Sequence, residues 1–366
     1  MDEYSSNDEA QTRSKRSRKI LQENFRCMEK NDGSMKAGNP NARTIEVLEQ
    51  MGHYYDRVGD HWRTIAYRKA VAVLRKQSVK IITKEDALRL PCVGERLAEK
   101  IEEIVWTNKL RRLDNALIDP ADQLLQLFMQ IYGVGFSQAS RWVTAGFKSL
   151  DDLRNNVKLT DNQKIGIAHF DDFRTRIPRA EVKEHGRIVS EALRNVDSAF
   201  EVTIGGSYRR GATDSGDIDL IITKPGADIT FIRTVVLDTL VPMLFEQNFL
   251  QAALAKTDKE TGTKWHGASA LPGSKVWRRI DLLLVPWYEL GAALIYFTGN
   301  DIFNRSIRLL ASKKGMRLNQ HGLYRDVLRD KGRQKITDGE LVEGRSERKI
   351  FEILGVPWRP PEHRIC

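Results

Sequence analysis

The spacing of apolar positions changes along the chain. From Asn41 to about Leu117 they recur three and four residues apart. Ile45, Leu48 and Met51 share one face, Ala66, Ala70, Val73 and Leu74 another, and Leu97, Ile101, Ile104 and Val105 a third. That period predicts amphipathic helices. A second helical block runs over 122–176 and ends at Ile177-Pro178, and 182–193 reads as one more helix. After Phe200 short β-rich runs take over at 202–204, 218–223 and 280–285, broken by Gly, Asp and Pro. Residues 254–275 read as a hairpin plus loop, and from Glu289 helices (302–312, 346–354) mix with loops. Residues 1–40 lack periodicity and read as a disordered tail. The expected layout is a helical front half, an α/β middle and a small mixed end.

Composition narrows the class. At 366 residues, 41% hydrophobic and 30% charged, the chain has material for two or three folded domains. No apolar run approaches the ~18 residues of a membrane helix, and the polar start has no signal-peptide core. Cys27, Cys92 and Cys366 are too few and too scattered for a disulfide framework or a cysteine-rich zinc site, which points to a reducing compartment. The net charge is +10, and residues 57–112 hold 14 basic against 7 acidic side chains. Such a concentrated excess is the footprint of a polyanion-binding face, a solvated helical surface being the alternative. Lys15, Arg16, Arg18 and Lys19 form a short basic cluster of the nuclear-import kind.

The helical half contains a repeat. Leu90-Pro91-Cys92-Val93-Gly94 and Ile131-Tyr132-Gly133-Val134-Gly135 each precede a helix, as in two helix–hairpin–helix units. Glycine there lets a phosphate approach the backbone, and the amides of the following helix start face the anion. Such hairpins grip the sugar–phosphate backbone without reading sequence.

The chemistry concentrates further on. Gly205-Gly206-Ser207-Tyr208-Arg209-Arg210-Gly211 is followed by Ser215-Gly216-Asp217-Ile218-Asp219-Leu220. Aspartates two apart at a strand start project onto one face, the arrangement that Mg²⁺ requires when it also coordinates phosphates. Ser207 and Arg210 sit where a turn and helix start can hold a triphosphate. Asp281 lies in a further strand-like run, and if that strand pairs beside the first, three aspartates converge as a two-metal site.

Taken together, these motifs resemble the family X DNA polymerases of the beta and lambda type. Residues 205–220 match their nucleotidyltransferase motif, and Arg278–Asp281 followed by Tyr296-Phe297-Thr298-Gly299-Asn300-Asp301-Ile302-Phe303-Asn304-Arg305 match their second palm strand and thumb start. The resemblance implies an α+β multidomain fold. Its parts would be a tail (1–40), a helical lyase domain with a helix–hairpin–helix (41–117), a helical DNA-binding subdomain with the second hairpin (118–178), a mixed-sheet catalytic palm (179–287) and a nucleotide-selecting α/β thumb (288–366). The roughly 40-residue front segment is expected to be too short for the BRCT domain of lambda-type relatives.

Carried over by position, Asp217, Asp219 and Asp281 would hold two Mg²⁺ ions, with Mn²⁺ as the alternative. Arg176, Gly206, Ser207, Arg210, Ser215 and Gly216 would meet the triphosphate of a deoxynucleotide. Tyr296, Phe297 and Gly299 would line the sugar pocket and Asp301 the base, with Asn304 and Arg308 at the minor-groove edge. Arg279 and Arg305 would contact DNA. Trp62, Arg63, Tyr67, Arg68 and Arg96 would hold the 5′-phosphate side of a gap, with Gly94, Gly133 and Gly135 at the hairpins. The carbonyls of Leu88, Leu90, Val93 and of Met129, Ile131, Val134 would hold a monovalent cation, Na⁺ or K⁺.

On its own Lys100 reads as a solvated helical lysine. The resemblance alone makes it the Schiff-base residue of a 5′-deoxyribose-phosphate lyase, with Arg96, Arg111 and Arg112 expected to lower its pKa. Leu283 departs from the pattern, standing where relatives carry an arginine that exchanges partners with a metal-binding aspartate. The resemblance implies a monomeric nuclear enzyme that fills gaps in double-stranded DNA during base excision repair, or in end joining. Its alternatives are a template-independent nucleotidyltransferase and a non-catalytic adaptor that binds DNA ends. Repair-protein partners are not legible.

Overall fold

The computed structural model describes residues 25–28, 39–255, 258, 261–328 and 336–365. The chain divides into two compact units, one of residues 34–170 and one of residues 171–366 with the N-terminal stretch to 33.

The first unit is helical. Helices α1 (Ala42–Arg57) and α2 (His61–Leu74) pack with the short α3 (Lys84–Leu88) and α4 (Glu95–Thr107). Asp60 caps α2 through the Arg63 amide and Thr83 caps α3, which fixes where those helices begin. Ile45, Leu48, Met51, Ala70, Leu74, Ile101 and Ile104 meet in one core. After α5 (Arg111–Ile118), helices α6 (Pro120–Met129), α7 (Phe136–Thr144), α8 (Leu150–Asn156) and α9 (Asp161–Ala168) surround Phe128, Trp142 and Leu153. A Thr160–Gln163 capping box starts α9.

The second unit opens with α10 (Phe170–Arg174), β1 (Ile177–Pro178) and α11 (Arg179–Val196). Next come β2 (Glu201–Ile204), the one-turn α12 (Gly206–Arg209), β3 (Asp214–Ser215) and β4 (Ile218–Thr223). Helices α13 (Ile229–Thr234) and α14 (Val241–Glu246) join through a π-helical stretch, Val235–Leu240. Strands β5 (Leu250–Ala253), β6 (Lys264–Ser269) and β7 (Arg278–Leu284) complete a sheet of order β2-β4-β7-β6-β5. Within this sheet, among the described residues, the β4–β7 pair is parallel and the other pairs are antiparallel. Leu220, Ile222, Leu282 and Leu284 bury one sheet face against α11 and the π-helical stretch.

The C-terminal part holds α15 (Leu290–Thr298), α16 (Asp301–Lys313), a small sheet of β8 (Arg317–Leu318), β9 (Leu323–Arg325) and β10 (Glu340–Glu343), and α17 (Glu347–Ile353). That small sheet fits the α/β end that the resemblance implied; periodicity alone showed only helices and loops there, because its strands are too short to show alternation. Asn300 caps α16 through the Phe303 amide.

The expectation of a tail over 1–40 is corrected at one place. Arg26–Met28 form a 3₁₀ turn on the α16 core, where Cys27 is fully buried and its amide donates to Ser306 Oγ at 3.1 Å. An isolated apolar cluster (Phe25, Cys27, Met28) in a polar stretch is the sequence feature behind it. The basic cluster at 15–19 and Cys366 lie outside the described residues. Among the described residues no helix is long and apolar enough to cross a membrane.

Candidate active site

Parallel pairing of β4 and β7 sets Asp219 directly beside Asp281, and Asp217 lies two residues upstream of Asp219 on the same strand edge. The three carboxylates feel one another. Enclosure first, then the charges of Asp217 and Asp281, push Asp219 up to about 7. Such a site calls for a cation, and an all-oxygen donor set of this kind suits a hard divalent ion. As they stand, two of the three have partners: Arg279 Nη2 donates to Asp217 at 2.9 Å, and His266 Nδ1 lies 2.8 Å from Asp281 Oδ1. Among the described residues no three metal-binding side chains already close around one point.

The loop before β4 is built around Asp219. The Gly205 amide donates to the Asp219 carbonyl at 2.8 Å. Gly206 has φ +54°, and a Cβ there would stand 2.6 Å from Asp219 Oδ2. Glycine is therefore demanded twice, by backbone conformation and by the carboxylate. Ser207 Oγ donates to the buried Ser215 Oγ at 2.8 Å. Arg176 grips Asp214, with Nε to Oδ1 at 2.8 Å, and lies against Gly216, where a Cβ would meet its guanidinium at 3.2 Å. Arg210 donates to the Thr298 carbonyl. Gly299, at φ +69°, leaves room for the same guanidinium. Serine hydroxyls, free amides at α12 and two guanidinium groups thus border the aspartate edge, a combination suited to a polyphosphate.

On α15 the rings of Tyr296 and Phe297 meet edge to face at 4.8 Å. Asn304 Nδ2 donates to the Tyr296 carbonyl at 2.7 Å, and the Arg308 guanidinium stacks on the Tyr296 ring at 4.5 Å. Asp301 and Arg305 pair at 2.8 Å on the exposed side of α16. Asn304, Arg305 and Arg308 are thus engaged internally rather than held out toward a groove.

Reading the sequence missed four groups. His266 and Lys264 lie on β6, whose alternation was hidden in a stretch read as hairpin plus loop; the Lys264 ammonium sits 5.6 and 5.1 Å from the Tyr296 and Phe297 rings. Arg179 braces the phosphate-side loop by donating to the Tyr208 and Ala212 carbonyls and stacking on the Tyr208 ring at 3.8 Å. Glu347 holds Arg209 at 2.8 Å and the fully buried Arg364 at 2.7 Å. Neither Arg179 nor Glu347 carries a local signal, since the partners of each lie 17 or more positions away.

Comparison with known proteins agrees along the chain. DNA polymerase beta palm matches residues 176–287, DNA polymerase beta thumb 293–365, the fingers domain of DNA polymerase lambda 126–174, and a helix-hairpin-helix domain 39–110. The DNA polymerase lambda of Rattus norvegicus is 37% identical over 335 residues, 90% of this chain and 57% of that protein. The DNA polymerase lambda of Arabidopsis thaliana is 33% identical over 330 residues, 88% of this chain and 62% of its own length. This chain belongs to the family X DNA polymerases. It spans about three fifths of the length of those two relatives.

In this family X chain the two hairpins are built alike. Cys92 and Gly133 both take left-handed backbone, at φ +66° and +78°, and Gly94 and Gly135 cap the next helices in extended conformation. A Cβ on either capping glycine would meet nothing within 4 Å, so both caps face open space. The Leu90 and Ile131 carbonyls each accept a turn hydrogen bond, from Val93 and Val134, and keep one lone pair.

Around Lys100 the picture needs correction. Its ammonium folds back to the Arg96 carbonyl at 3.1 Å. Its pKa is lowered mainly by burial, with Arg96 and Arg112 assisting and Glu99 and Glu103 opposing. Arg111 takes no part, being exposed and paired with Glu103. Trp62 is 86% exposed, whereas Tyr67 is a core residue at 4% and offers no open contact. Arg63 and Arg68 are exposed and held by Asp60 and Asp56. Leu283 packs among Ile221, Val285 and Ala293, an apolar setting with no place for a switching arginine.

The Gly206 geometry makes a testable claim. Gly206→Ala should lose about 2–4 kcal/mol of unfolding free energy in urea, the left-handed strain plus a clash with Asp219. Gly226→Ala, at φ +74° but in open space, should lose only about 1 kcal/mol. Equal losses would mean that the carboxylate does not press on Gly206.

Proposed function

We propose that the chain is a DNA-directed DNA polymerase that fills short gaps in double-stranded DNA from deoxynucleoside triphosphates, with a 5′-deoxyribose-phosphate lyase in its helical front. The reading divides it into lyase (41–117), DNA-binding (118–178), palm (179–287) and thumb (288–366) regions. The observation that carries it is the strand register that sets Asp281 beside Asp219, two residues from Asp217, at the foot of a phosphate-suited loop.

Asp217, Asp219 and Asp281 would hold two Mg²⁺ ions, Mn²⁺ being the alternative. Bound there, the ions supply charge neutralisation of the triphosphate and acidity at the primer 3′-hydroxyl. Asp281 accepts the hydroxyl proton. Ser207, Ser215, Gly216, Arg176 and Arg210 orient the triphosphate for in-line attack. Tyr296 and Phe297 present ring faces to the sugar, and Gly299 leaves room beside Arg210. Asn304 and Arg308 exchange their internal partners for acceptors common to all correct base pairs in the minor groove. Arg279 and Arg305 reach DNA by leaving Asp217 and Asp301.

In the lyase reaction the neutral Lys100 amine attacks the C1′ aldehyde, water is lost to give an imine, and β-elimination releases the 5′-phosphate strand. Arg63, Arg68 and Arg96 hold that phosphate, and Trp62 stacks on a template base. Gly94, Gly133 and Gly135 bring the hairpins close to the backbone, and the carbonyls of Leu88, Leu90, Val93 and of Met129, Ile131, Val134 would hold a monovalent cation that supplies positive charge there. The proposed setting is nuclear, in base excision repair.

Primer extension across a one-nucleotide gap tests the polymerase reading. Asp217→Ala should abolish incorporation while gap affinity stays within about threefold, and removing the 5′-phosphate should weaken filling. Retained incorporation in Asp217→Ala rules out the aspartate assignment. Equal extension of an unpaired single strand would favour a template-independent enzyme instead.

Borohydride trapping on deoxyribose-phosphate DNA tests the lyase reading. Because the Lys100 pKa lies below that of a free lysine, the neutral amine fraction and the trapping rate should rise with pH, with the midpoint of the rise below the 10.5 of a free lysine. Lys100→Ala should lose most of the adduct; undiminished trapping would transfer the role to another lysine.

A further inference from the structure

His266 is the group nearest the aspartates that the proposed chemistry does not use. It lies on β6 and is registered directly opposite Asp281 on β7. Its Nδ1 stands 2.8 Å from Asp281 Oδ1, and both side chains are about two-thirds buried. The backbone beneath them is fixed on both sides, because β7 pairs with β4 as well as β6. Along β6 the Trp265 ring occupies the space where a Cβ on Gly267 would stand. On the β7 side the residue that His266 meets is Asp281.

An aspartate carboxylate turns easily about its last torsion, whose energy profile is broad. An N–H committed to one oxygen removes that freedom. A neutral imidazole with its proton on Nδ1 suffices, so no extra charge is needed. We propose that His266 is a positioning residue that commits Asp281 Oδ1 to its imidazole and thereby presents Oδ2 to a divalent cation and to the primer hydroxyl. The proposal rests on the reading of Asp281 given above. Groups that orient a metal-binding carboxylate typically govern about 10–100-fold in metal affinity or activity.

The test uses the full chain on a one-nucleotide gap with a dideoxy-terminated primer and a matched nucleotide, with Mn²⁺ as probe and free Mn²⁺ read by electron paramagnetic resonance. His266→Ala should weaken Mn²⁺ binding about tenfold and lower kcat by a similar factor on an extendable primer, while KM for the nucleotide stays within about twofold. His266→Asn, whose amide N–H can replace Nδ1–H, should recover most of both losses. That rescue separates positioning from simple loss of fold. Unchanged Mn²⁺ affinity and kcat in His266→Ala, or an asparagine variant no better than alanine, would overturn the proposal. Tighter Mn²⁺ binding in His266→Ala would also overturn it, because the imidazole would then be competing with the cation. Asp281→Ala serves as reference. If it still incorporates nucleotide, the reading of the aspartates fails; if it is inactive while His266→Ala behaves as the parent, only the positioning role fails.

Discussion

Three carboxylates held beside one another in a folded chain repel, and a fold accepts them only where something else fixes the backbone. Here that constraint is the parallel β4–β7 pair, which sets Asp219 against Asp281 and anchors Asp217 two residues away. Apolar side chains on the opposite sheet face, Leu220, Ile222, Leu282 and Leu284, bury against α11 and the π-helical stretch and hold the register. A slip of one residue would move all of them to the wrong face, so the hydrophobic core is what assembles the acidic edge. The raised pKa of Asp219 measures the cost. Ionising that group opposes folding of the metal-free protein, so stability falls as pH climbs from the ordinary aspartate range toward about 7.

Several of the surrounding groups have partners within the chain. Asp217 has Arg279, Asp281 has His266, Arg176 has Asp214, Asn304 has the Tyr296 carbonyl, and Asp301 has Arg305. Substrate binding on this account exchanges partners rather than stripping water from isolated charges, which keeps the cost low. The loop and the C-terminal part are tied by two links: Arg210 and Arg209 reach Thr298, and Glu347 joins Arg209 to the buried Arg364. Arg364 is further enclosed by Phe303, Phe351 and Trp358. These links tie the phosphate-side loop to α15 and α17.

Much of this was legible in the residues. Helical periodicity located α1, α2 and α4, and the doubled hairpin pattern foresaw two turns whose backbone angles match. Asp217 and Asp219 were readable from period two, and Asp281 from its strand-like run, because the chemistry is local to each strand. What stayed hidden was set by distant pairing. His266 became meaningful only through its register with Asp281, and Glu347 only through contacts with arginines far along the chain. Lys100 was assigned to a cluster of arginines, whereas burial is the main cause of its lowered pKa, and no motif reports burial. The turn at 26–28 was missed because three apolar residues in a polar stretch carry no period.

As proposed above, the three aspartates form one cation site, and its most enclosed member, Asp219, carries a proton near neutrality. Titrating Mn²⁺ into the DNA-free protein from about pH 8 down to about pH 6 tests it directly. Affinity should fall across that interval, with about one proton released per site filled at the lower pH, as the cation displaces the proton from Asp219. Binding that ignores pH, or that persists unchanged when Asp219 is replaced by Asn, would contradict the claim.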